Sequence, residues 1–112
     1  MSLDLSVWSG GVFDLPTQLP GSERWTVTGR ECALDGGTWQ VLVVVAQDKP
    51  DGPVLEKLPA ASSVAYISLE PLGAGPEGYA ALETTTRHLA EVSRGVWVDP
   101  SGTVYRHDEG TF

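Results

Sequence analysis

Cysteine is all but missing: Cys32 stands alone, so no disulfide can form within the chain, and a reducing cytoplasm is the expected setting. The chain does not open on a basic segment followed by an apolar one, the pattern of a secretory signal. Long hydrophobic runs are missing too. The longest, Val41–Ala46, is far short of the roughly 20 apolar residues that a membrane-spanning helix needs. Positive charge is scarce, with 7 Lys and Arg against 15 Asp and Glu and a net charge of −8. A nucleic-acid-binding surface needs a dense basic stripe, and the scattered Arg24, Arg30, Arg87, Arg94 and Arg106 supply none. Net negative charge of this kind reads either as a device that keeps a small protein in solution or, more sharply, as a match for a basic protein partner.

Catalytic signatures are equally sparse. His88 falls inside a helical pattern next to Leu89 and His107 falls in the C-terminal tail, neither with a partner at motif spacing, so both read as surface residues. Cys32 lies between Glu31 and Ala33 in an alternating segment, where a small thiol packs as an apolar residue. There is no Gly-x-Ser-x-Gly elbow, phosphate-binding Gly-x-x-x-x-Gly-Lys loop, cysteine pair or His-Glu-x-x-His helix, which removes support for hydrolase, nucleotidase and zinc chemistry. Asp48, Asp51 and Asp99 lie in loops but lack the ligand spacing of a calcium loop. Asp99-Pro100-Ser101-Gly102 is explained as a type I turn. The expectation is a protein that is not an enzyme and has no cofactor or metal.

What is present suffices for one folded domain over residues 1–112: 41% of residues are apolar and 20% charged, ordinary values for a globular chain of this size. Leu3, Leu5 and Val7 alternate with polar neighbours as in a half-buried strand. Asp14–Ser22 is a Pro-rich loop. Glu23–Leu34 and Trp39–Ala46 read as a hairpin around Asp35-Gly36-Gly37, and Val41–Val45, apolar at every position, as a strand covered on both faces. Pro53–Leu58 offers a short helix with proline at its start, and Ser63–Glu70 a further strand. Tyr79, Leu82, Thr86 and Leu89 recur at helical spacing within 77–93, ahead of Arg94-Gly95. Short strands follow at Val96–Val98 and Thr103–Arg106, then a tail, His107–Phe112. This order predicts an α+β domain, an antiparallel or mixed sheet of about five to six strands with one long helix on one face. A ferredoxin-like topology is the first expectation.

Trp8, Trp25, Trp39 and Trp97 all fall on or beside predicted strands, where indoles mostly fill cores. Trp8, however, shares a strand face with Asp4 and Ser6, opposite the leucines. An exposed indole beside a carboxylate makes an interface anchor, so Asp4 and Trp8 are the candidate partner-binding residues.

The opening Leu3-Asp4-Leu5-Ser6-Val7-Trp8, and the helix through His88-Leu89-Ala90-Glu91 into Gly95-Val96-Trp97-Val98-Asp99-Pro100-Ser101-Gly102, resemble small bacterial α+β proteins of the polymorphic-toxin immunity type. These segments, an edge strand, an amphipathic helix and a turn, span about a quarter of the chain. The resemblance implies a protein that binds and blocks a cognate toxin and catalyses nothing. Two other readings compete: a small-ligand-binding or enzymatic domain with a cleft between the sheet and the Asp14–Ser22 loop, and a piece of a larger protein whose bare sheet face meets a missing neighbour. A concave pocket with converging polar groups marks a ligand site. A flat acidic face bearing apolar side chains marks an interaction protein.

Overall fold

A computed structural model describes residues 3–15 and 17–112. The elements run β1 (Leu3–Ser9), a 3-10 turn (Ser22–Arg24), β2 (Trp25–Thr28), β3 (Glu31–Asp35), β4 (Gln40–Ala46), α1 (Gly52–Lys57), β5 (Ser63–Glu70), α2 (Gly75–Val92), β6 (Val96–Val98) and β7 (Val104–Tyr105). The seven strands form one sheet in the order β2-β3-β4-β5-β1-β6-β7, and every neighbouring pair is antiparallel. The α+β class, the antiparallel sheet and the single long helix agree with the sequence pattern.

The strand count is higher than expected because Glu23–Leu34 is two strands. Gly29 takes a φ of +62°, a conformation open to glycine at no steric cost, and the chain reverses there so that Thr28 pairs with Glu31. The opening strand is also differently placed. Instead of an edge, β1 occupies the interior between β5 and β6, since its apolar side and Trp8 both find cover. β5 and β6 flank β1 and are joined across it by α2, a split β-α-β unit. A ferredoxin-like chain would carry a second helical crossover. Among the described residues, the connection from β1 to β4 has no α-helix and holds the Pro-rich loop and the β2–β3 hairpin instead.

Local chemistry sets the helix ends. Asp51 caps α1, its carboxylate accepting from the Val54 N–H at 3.3 Å, with proline in the first turn. α2 has Pro76 and Glu77 in its first turn and stops at Arg94, whose φ is +55°. There the Gly95 N–H donates to the Ala90 carbonyl at 2.8 Å and the Arg94 N–H to the Glu91 carbonyl at 3.1 Å, satisfying otherwise orphaned acceptors. Glycine is required next, because a Cβ on Gly95 would lie 2.0 Å from the Trp8 carbonyl oxygen.

Two unequal cores result. The larger lies between the sheet and α2, where Val7, Val41, Val43, Ile67 and Leu69 meet Leu82 and Leu89, with Phe13 and Leu19 of the loop closing one side. The smaller, on the opposite face, packs Val54 of α1 against Trp8, Val64, Val96 and Val104. The C-terminal segment is docked rather than loose: Arg87 donates to the carbonyls of His107, Glu109 and Gly110 at 2.7–3.0 Å. Phe112 stacks on Trp97 with ring centroids 4.6 Å apart. Among the described residues no helix is long and apolar enough to cross a membrane.

Candidate functional site

Alternation along each strand sends every second side chain to the face away from α2. Among the described residues α1 is the only helical cover on that face, and its 6 residues make a rod of about 9 Å over a seven-stranded sheet roughly 29 Å across. It shelters the cross-strand row Ala46, Val64, Trp8 and Val96, together with Val98 and Val104 at the β6–β7 end of the next row. The next row, by strand register, is Glu31, Val44, Tyr66, Ser6 and Val98, followed by Ala33, Leu42, Ser68 and Asp4, then Asp35, Gln40 and Glu70. Apart from Val98 and its register partner Val104, which join the smaller core, these rows are bare. Val44 is 36% and Tyr66 39% exposed, Leu42 is half-buried and Asp4 is exposed.

The charge in these three rows has one sign. Asp4, Glu31, Asp35 and Glu70 belong to the three bare rows, and no Lys or Arg occupies any position in them. Glu70 accepts from the Gln40 amide at 3.2 Å. The Tyr66 hydroxyl donates to Asp48 at the margin. That bond, aided by burial and the Asp48 charge, pushes the phenol pKa up to about 12. A shallow groove of about 210 Å³ runs between Asp4, Ser6, Tyr66, Val98 and Pro100. Apolar side chains within an acidic surround can bury area against a partner while selecting a basic one.

Asp4 is placed as predicted, on this face. Trp8 shares the face but is only 7% exposed, because α1 lies over it, and its indole N–H donates to Ser6 Oγ at 3.2 Å. The exposed-anchor role therefore does not hold for Trp8. The aromatic residue in that situation is Tyr66. Val41–Val45 is likewise covered on one face only: Val41 and Val43 are fully buried, whereas Leu42 and Val44 look outward. The signal for the bare strip was this continuous apolar run, which implies a cover without saying whether the chain itself supplies it.

The other candidate residues have structural employment. Burial, with the Glu31 charge adding, raises the Cys32 thiol pKa, the wrong direction for a nucleophile. Asp51 is the α1 cap. Desolvation acts to raise the pKa of Asp99, but hydrogen bonds from Ser101, Thr103 and Tyr105 together outweigh it and hold the carboxyl below its usual value. The Asp99 carboxylate accepts from the Ser101 and Thr103 N–H groups and the Tyr105 hydroxyl, each at 3.0 Å, which pins the turn. His107 Nε2 lies 3.4 Å from Glu91 Oε2, and His88 is half-buried on α2. Among the described residues no group of three His, Cys, Asp or Glu side chains is placed to hold a metal ion. No protein-family model, curated protein or solved structure matches the chain.

Proposed function

We propose that this chain is an acidic protein-interaction domain, an immunity-type inhibitor, whose bare sheet face binds a basic partner protein. One observation carries the reading: Leu42, Val44 and Tyr66 form an uncovered apolar strip surrounded by carboxylates, with no cation in the same rows. The strip supplies apolar area, and the charge, −8 over the chain, speeds encounter with a basic protein and repels acidic ones. The split β5–α2–β6 unit supports a ferredoxin-like scaffold, with the β2–β3 hairpin in place of the first helix, extending the sheet beneath this strip.

The test is retention of proteins from a lysate of the source organism on the immobilised chain at low and at physiological salt. Raising ionic strength from about 0.01 M to 0.15 M shortens the screening length from about 30 Å to about 8 Å, so retention of basic proteins should fall. A Leu42→Ser/Tyr66→Ser double variant should retain little at either salt concentration. Retention that ignores both salt and the double variant would remove the face from consideration. Salt-independent retention lost in the double variant would favour the third reading, an apolar neighbour from a larger assembly.

A further inference from the structure

The α2 side of the sheet has a gap of its own. α2 packs on β1, β4, β5 and β6, leaving the β2–β3 corner to the loop that follows β1. There Phe13 and Leu15 of the loop, together with Val27, Cys32 and Val45 of the sheet, bound a hollow of about 590 Å³ that Arg30 also lines. This volume falls within the range of small-molecule sites. Val27 is 48% exposed, an aliphatic side chain left open on the rim. No Asp or Glu lines the hollow, although the chain has 15 of them, and among the described residues the Arg30 guanidinium makes no ion pair.

We propose that this hollow binds a small monocarboxylate with an apolar body, the body against Phe13, Leu15, Val27 and Val45 and the carboxylate on Arg30. The chemistry narrows the ligand class. A cation would find no counter-charge in the lining. A dianion such as a phosphate monoester would meet one guanidinium and twice the repulsion from the chain's net charge. A single carboxylate leaving water needs one strong donor, and a planar guanidinium supplies two parallel N–H bonds to it. The raised thiol pKa of Cys32 fits a wall of the site rather than a reacting group. The site lies on the opposite side of the sheet from the acidic face and stands or falls separately from it.

The probe is sodium decanoate below its micelle concentration, with 1-decanol as the uncharged comparator, followed by the methyl NMR signals of Val27 and Val45. Decanoate should shift these signals saturably. Arg30→Gln, which replaces two charge-assisted bonds by at most one neutral amide donor, should weaken decanoate binding at least about tenfold and leave decanol binding unchanged. Val27→Trp, at an exposed rim position, should obstruct entry to the hollow and abolish binding of both. Leu42→Ser should leave decanoate binding intact, which separates this site from the partner face. Absence of saturable shifts, equal affinity of decanoate for Arg30→Gln and the parent, or retained binding in Val27→Trp would each overturn the proposal.

Discussion

The two faces of the sheet are built from the same strands and end in opposite situations. Toward α2, Val41, Val43, Ile67 and Leu69 are fully enclosed; one residue along the same chains, Leu42 is half-buried while Val44 and Tyr66 are open. Strand composition does not separate them, since Val43 and Val44 are the same residue. The covering helix does. α2 has 18 residues and α1 has 6, about 27 Å against about 9 Å of rod, so one face becomes a core while the other is sheltered at one end and otherwise available to another molecule.

Substitutions of matched chemistry turn this contrast into a graded series. Leu82→Ala or Leu89→Ala, both at fully buried positions, should each cost about 2–5 kcal/mol in urea unfolding, the transfer loss plus the cavity left behind. Parent-like stability in both would mean that α2 is not what closes the larger core. Val54→Ala beneath the short helix removes two carbons from the smaller core, and at roughly 0.8 kcal/mol per buried methylene should cost about 1–2 kcal/mol. A loss equal to that at Leu89 would show the two cores to be energetically equivalent.

Leu42→Ser on the bare strip, at a half-buried position, should cost about 1 kcal/mol while reducing partner retention. A destabilisation matching Leu82→Ala would mean that this face is covered in solution. The smallest effect is at its margin. The Tyr66 phenol should titrate near pH 12 by ultraviolet absorbance, and Asp48→Asn should bring it down toward the ordinary value of 10.0. Because the folded pKa is raised, the stability that this bond contributes is fully present below pH 10 and is lost as pH rises toward 12. An unshifted Tyr66 would detach Asp48 from the face.

Much of this was legible in the chain itself. The Asp35-Gly36-Gly37 hairpin, the proline-started short helix and the buried Leu82 and Leu89 all follow from local signals, in which turn chemistry and periodicity act over a few residues. What escaped depends on contacts distant in sequence. Gly29 marks a reversal only because Glu31–Asp35 has a second partner in β4. Trp8 is buried only because α1, more than 40 residues on, settles over it. The open strip was misread for the same reason: an apolar run records a demand for cover, and which molecule meets it is decided elsewhere. Arg87, read only as one of a few scattered cations, proves to clasp the C-terminal carbonyls.

The interior position of β1 also has a kinetic side. Its register joins Leu3 to Leu69 and Trp8 to Val96, so β1, ahead of the other six strands in sequence, is paired on both sides only once β5 and β6 have been made. β2 through β5 can assemble as neighbouring hairpins while β1 waits for residues synthesised more than 50 positions later. Loops of that length must close before their contacts repay the entropy, and such topologies fold in milliseconds to seconds rather than microseconds. In the interval the inner edge of β5 stays unpaired, and the nascent chain is then most prone to pair with another copy of itself. The seating of β1 is thus the step that removes this open edge.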